Sequence, residues 1–264
     1  MKFHQNATRC RLSSNRLLRL APILLSLAVT VAPSRADDDT MASPTVAVQT
    51  SKLHYLPAGK PDAVALLAPP PLLGSAEQAA DLDEVRAVYH AATPEDQAVA
   101  ARWHRFNAFT FTPAIGAFFV SSNLPVTTAF FDRVQKDAET VTDNTKNFFR
   151  RPRPFVTDPS LANGKLEHSF GYPSGHSTES MVLALVLADL FPARHDAIIA
   201  EACSIGWHRV MIARHYPTDI YAGRVLAQAI VKQMKKSEAF QKDFAGARAE
   251  IAAARTAANP ISGS

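Results

Sequence analysis

Residues 171–190 read GYPSGHSTESMVLALVLADL. From Met181 to Leu190 this stretch is apolar almost all round a helical wheel, so a helix over about 175 to 190 has no face to offer water and belongs in the middle of a core. Much of Ala197 to Ile212 has the same character. Other helices follow from start signals. Ser75 with Gln78 three residues on predicts a capping box, followed by Leu82, Val85, Val88 and Tyr89 at helical spacing. Thr93-Pro94-Glu95-Asp96 predicts a second start. Further helices are expected at about 112 to 121, 126 to 149, 195 to 213, 218 to 235 and 238 to 257. Strand alternation is nearly absent, and the fold class expected is all-α, a single-domain helical bundle.

Outward from these helices the chain changes character. Residues 1–36 carry six of the 28 basic residues and none of the 24 acidic ones, so the remainder is slightly acidic, 22 against 24, and a nucleic-acid partner is not expected. Leu20 to Ala32 is an apolar run too short to span a bilayer, and Ser34-Arg35-Ala36 places small residues where a signal peptidase cuts. The expected organisation is a secretory signal over 1–36, an extended arm over 37–74 and a helical domain over 75–264. That places the protein in the periplasm or outside the cell, with no membrane contact after cleavage near Ala36. The arm reading rests on breakers that end in Ala68-Pro69-Pro70-Pro71-Leu72-Leu73-Gly74. Two cysteines exclude a framework of several disulfides.

Cations and histidines gather in three segments. The first, Lys146-Asn147-Phe148-Phe149-Arg150-Arg151-Pro152-Arg153-Pro154, is either a solvated basic face or an oxyanion site in which prolines stiffen the backbone around Arg153 and Lys146 adds a point charge. The second, Pro173-Ser174-Gly175-His176, opens the apolar helix. Ser174 is an N-cap in the plain reading; in the functional one its hydroxyl and the Gly175 amide cradle an anion and His176 donates a proton beside it. In the third, Arg209 follows an apolar run and His215 precedes Asp219 by four residues. That spacing is either structural or a means of fixing one imidazole tautomer and raising its basicity.

Together the segments resemble the type 2 phosphatidic acid phosphatase superfamily, with its Lys-x6-Arg-Pro, Pro-Ser-Gly-His and Ser-Arg-x5-His-x3-Asp signature. The pattern is most similar to the exported bacterial class A non-specific acid phosphatases. The resemblance implies a bundle of the acid phosphatase/vanadium haloperoxidase type. It implies that His215 attacks phosphorus to form a phosphohistidine, Asp219 orients its ring, and His176 protonates the leaving alcohol and then activates water. Lys146, Arg153, Arg209, Ser174 and Gly175 would bind phosphate. No metal and no cofactor is implied, three cations standing in for a divalent ion, and the partners expected are small phosphomonoester substrates, with homo-oligomer formation left open. His208 departs from the pattern, standing where the signature has Ser, and places a secondary anion contact in question. Alternatives are a lipid or prenyl pyrophosphate phosphatase, a vanadium-dependent haloperoxidase, or a phosphate-binding protein without turnover.

Overall fold

The computed structural model describes residues 53–258; the expected leader, its cut after Ala36 and the arm before residue 53 lie outside the described residues. In chain order the helices are α1 (Ala63–Leu66), α2 (Ala76–Ala91), α3 (Pro94–Arg102), α4 (Thr112–Ile115), α5 (Pro125–Phe149), α6 (Pro154–Thr157), α7 (Gly175–Leu190), α8 (His195–Met211), α9 (Pro217–Met234) and α10 (Glu238–Ala258). No strand occurs among the described residues, and the architecture is an all-α bundle.

The apolar helix is central, as its sequence requires. α7 packs against α8, α9 and α5, and Val182, Leu183, Ala184, Val186 and Leu187 are fully buried. Close approach of α9 needs a missing side chain: a Cβ on Gly223 would stand 2.9 Å from the Ser174 carbonyl oxygen and 3.0 Å from Ser177 Cβ. This contact fixes the first turn of α7 against the first turns of α9. Ser174 N–H donates to the Asp219 carbonyl at 3.0 Å, and Ser177 Oγ to the Ile220 carbonyl at 2.8 Å.

α5 buries a stripe at helical spacing, Thr127, Phe130, Phe131, Val134, Ala138, Val141, Thr142, Thr145 and Lys146. Lys146 is thus the last residue of an inward face, which decides where its ammonium goes. At the other end the free amides of Val126 and Thr127 donate to the Glu250 carboxylate of α10 at 3.0 and 2.7 Å, an N-cap supplied from another helix. Residues 53–62 lie along α5: the amides of His54 and Tyr55 both donate to the buried Asp137 carboxylate at 2.8 Å, and Tyr55 Oη to Asp243 at 2.7 Å.

The structure corrects several boundaries. Instead of one helix over 112 to 121, α4 stops at Ile115 because Gly116 takes φ 139°, a backbone no helix contains. α8 ends at Met211 because Ala213 adopts φ 52°, and the amides of Arg214 and His215 then fold back onto the Arg209 carbonyl. The Thr93–Asp96 capping box forms in full. The Ser75–Gln78 box forms in half: Ser75 Oγ accepts from the Gln78 amide, but the Gln78 side chain accepts from Arg151 instead.

Candidate active site

The three segments meet at one place, where the first turn of α7, the end of α5, and the turn between α8 and α9 converge. Each functional side chain arrives there for a local reason. Pro217 at the start of α9 puts Asp219 in the first turn, where its Oδ2 accepts from the Tyr216 amide at 3.0 Å and caps the helix. The same oxygen lies 3.2 Å from His215 Nδ1. A carboxylate only accepts, so the proton of the neutral ring is on Nδ1 and the lone pair is on Nε2. Nε2 faces Arg153 Nη1 at 3.1 Å. Burial, reinforced by Arg153, Lys146 and Arg209, holds the His215 imidazole well below its ordinary pKa, and the ring is neutral.

Arg153 is fastened on three sides. Its Nε donates to the Ser169 carbonyl at 2.7 Å, Nη2 to Ser169 Oγ at 2.9 Å, and Nη1 to the Arg214 carbonyl at 2.9 Å. Lys146 Nζ donates to the Phe170 carbonyl at 2.8 Å; burial first, and then Arg153, push it down to about 7. Gly175 lies between: a Cβ there would stand 3.8 Å from Lys146 Cε. Ser174 is fully buried, and its Oγ accepts from the Ser177 amide at 3.3 Å, so it is an N-cap of α7.

Three buried nitrogens in and behind this cluster have no hydrogen-bond partner in the protein, one of them Arg151 Nε. His176 Nε2 and Arg209 Nε are both buried and both unpaired. Burial, followed by Arg209 and Lys146, keeps His176 well below its usual pKa, and Arg209 is pushed down to about 10, chiefly by burial. Unpaired buried polar atoms are uncommon because each forfeits its hydration. A cluster of cations with unpaired nitrogens, closed by two neutral imidazoles, has the shape and charge to take a tetrahedral oxyanion. Among the described residues no group of three or more His, Cys, Asp or Glu is placed to hold a metal ion.

Several contributors escape a reading of the sequence. Arg151, left unassigned in the first basic run, is buried and donates Nη1 to Asp219 Oδ1 and to Thr218 Oγ1 at 2.6 Å each, and Nη2 to Asp81 Oδ2 and Gln78 Oε1 at 2.7 Å each. Its guanidinium also lies over the Tyr216 ring at 3.9 Å. Gln78 and Asp81 sit three residues apart on the buried face of α2 beside Leu82 and Val85, and a polar pair on an apolar stripe was the available signal. Glu167 pairs with Arg209 and Arg214. His208 turns away from the cluster. Its Nδ1 is bonded to the Ser204 carbonyl at 2.8 Å, and its ring meets Trp103 edge-on at 4.7 Å, so it fastens α8 to the end of α3.

Comparison with known proteins agrees with this arrangement. The PAP2 superfamily model matches residues 134–240, the interval that contains all three segments. The acid phosphatase of Zymomonas mobilis is 34% identical over 119 residues, covering 43% of this chain and 45% of that protein. The non-specific acid phosphatase of Providencia stuartii is 28% identical over 216 residues, 76% of this chain and 85% of that one. A lipid A 1-phosphatase from Rhizobium etli is 46% identical over 52 residues, 20% of this chain and 22% of that one. The chain thus spans under half the length of the Zymomonas relative and most of the Providencia one. A helical bundle built around an apolar α7, the three converging segments and the matched model together make the chain similar to the PAP2 superfamily over residues 134–240.

Proposed function

We propose that the protein hydrolyses phosphomonoesters through a phosphohistidine on His215, as an exported acid phosphatase that needs no metal. The observation that carries this reading is the neutral His215 ring, held by Asp219 with its Nε2 lone pair facing the arginine that would bind the phosphoryl group. Phosphoryl transfer depends on in-line positioning and on charge at the equatorial oxygens. Lys146, Arg153 and Arg209 supply the charge, and the Ser174 hydroxyl and Gly175 amide add short-range donors at a helix start. On binding, Arg153 Nη1 turns from the imidazole to a phosphoryl oxygen. That releases the Nε2 lone pair for attack, while Asp219 stabilises the charge that grows on the ring.

His176 would protonate the departing alkoxide. Burial first, and then the neighbouring cations, suppress its protonation; a bound phosphoryl group offsets the cations, so protonation of the acid is favoured as substrate arrives. His176→Ala is therefore expected to slow turnover by roughly 100-fold, the scale of general acid catalysis. A panel of aryl, sugar and nucleoside phosphates assayed with chelator present tests the whole reading. Hydrolysis of several of them is expected; phosphate bound tightly with no ester turned over would leave a binding protein.

Lys146 gives the pocket a pH dependence. With its pKa near 7, the ammonium is charged below that value and neutral above, so anion affinity falls as pH rises through about 7. Sulfate, whose own charge is constant there, should bind more weakly at about pH 8.5 than at about pH 5.5 by calorimetry. Equal affinities would contradict this. The lipid A 1-phosphatase match favours a second reading, hydrolysis of a lipid phosphate at a membrane surface. No helix among the described residues is long and apolar enough to cross a membrane. Comparing rates on a soluble aryl phosphate and on a phospholipid in vesicles distinguishes the two.

A further inference from the structure

Glu167 takes no part in the reaction set out above, yet its Oε1 is bonded to Arg209 Nη2 and its Oε2 lies 2.9 Å from Arg214 Nε. The two partners are unequally free. The Arg209 side chain is 4% exposed and that of Glu167 25%, so the arginine is fixed in the wall while the glutamate keeps part of its side chain at the surface, with Oε2 itself buried. The segment that carries Glu167 has its own attachments. Arg214 Nη2 donates to the carbonyls of Asn163 and of Lys165, the latter at 3.2 Å, and Asn163 Nδ2 donates to the Ile212 carbonyl at 3.3 Å. Release of Glu167 from Arg209 therefore leaves the segment anchored.

A guanidinium holds an oxyanion best through two parallel N–H groups, and both of its two-donor edges use Nη2. Glu167 sits on that nitrogen, while the adjoining Nε is buried without a partner. We propose that Glu167 is an internal anion that competes with phosphate for Arg209, so that it sets how loosely the pocket holds inorganic phosphate. The inference rests on the phosphate-binding reading of the pocket. An arriving phosphoryl group takes Nη2 and pairs it with Nε, and the carboxylate moves toward water. Once the ester is cleaved, return of the carboxylate to Arg209 expels the product. No covalent step is added; the residue exchanges one ion pair for another.

The sign of the effect separates this role from a structural one. If Glu167 merely held Arg209 in place, its loss would weaken anion binding; if it competes, its loss tightens binding. Calorimetric titration of the full chain with orthophosphate and with vanadate, for wild type, Glu167→Gln and Glu167→Ala, measures that sign directly. Both variants are expected to bind each anion about tenfold more tightly, since a like charge beside the ligand is gone, and to be inhibited by orthophosphate at correspondingly lower concentration. The alanine variant guards against a glutamine amide that keeps hold of the arginine. Unchanged or weaker binding in variants that still hydrolyse an aryl phosphate would overturn the role of Glu167 alone. No binding and no turnover in wild type would overturn the pocket reading and this inference with it.

Discussion

His215→Ala is expected to reduce phosphomonoester turnover by on the order of 10⁴-fold or more, the scale seen when a covalent nucleophile is removed. The residue is the one neutral imidazole of the pocket whose lone pair is both directed and unprotonated, with Nδ1 against Asp219 and Nε2 toward Arg153. No neighbour can replace it: His176 lies on α7 with its Nε2 unpaired and no ion pair to a carboxylate among the described residues, and His208 faces α3. The same variant should retain phosphate binding, because Lys146, Arg153 and Arg209 remain. Rapid acid quench with labelled substrate should trap an acid-labile, base-stable phosphoenzyme in wild type and none in the variant. Near wild-type turnover in the purified, folded variant would remove His215 from the mechanism.

Arg151→Leu should produce the largest loss of stability. The substitution leaves two buried carboxylates, Asp81 and Asp219, without the cation that joins them. Breaking a buried pair by deleting one partner costs about 3–5 kcal/mol, because the remaining charge keeps its desolvation penalty and loses its compensation. For a chain of this size that is a fall in Tm on the order of 10 °C. Arg151→Lys keeps the charge but cannot reach Asp219, Thr218, Asp81 and Gln78 together, and should fall between wild type and Leu. Activity should fall further than stability accounts for, since Asp219 Oδ1 would lose its partner while Oδ2 orients His215. A Leu variant with wild-type Tm would show that the four contacts contribute nothing to the fold.

The two variants mark where reading the sequence succeeds and where it stops. Local chemistry was legible. The apolar run from Met181 announced a central helix, and the spacing of His215 and Asp219 announced a fixed imidazole, because four residues across a helix start is a contact the backbone alone creates. What the sequence could not display was pairing across long separations. Arg151 finds Gln78 and Asp81 seventy or more positions away on α2. Nothing in the basic run distinguished it from Arg150, which ends α5 at the surface. Gln78 reads locally as half of a capping box because that is its nearest bond, and the tertiary contact with Arg151 prevails over the local one. His208 could equally have faced the anion; Trp103 decided otherwise, and an aromatic neighbour on α3 has no signature in the helix that bears the histidine. The turn at Ala213 was invisible for a different reason: alanine rarely takes a positive φ, and here the fold imposes it to bring His215 back over Arg209.

The proposed mechanism requires one arrangement, a single tetrahedral oxyanion enclosed by Lys146, Arg153, Arg209 and the first turn of α7 with His215 Nε2 facing its central atom. A crystal structure of the protein grown with vanadate examines that arrangement directly. Vanadium is expected bonded to His215 Nε2, its oxygens in contact with Lys146, Arg153, Arg209 and the Gly175 amide, and Glu167 withdrawn from Arg209. Vanadate bound elsewhere, or held in this pocket with His215 still bonded to Arg153 and remote from the metal, would contradict it.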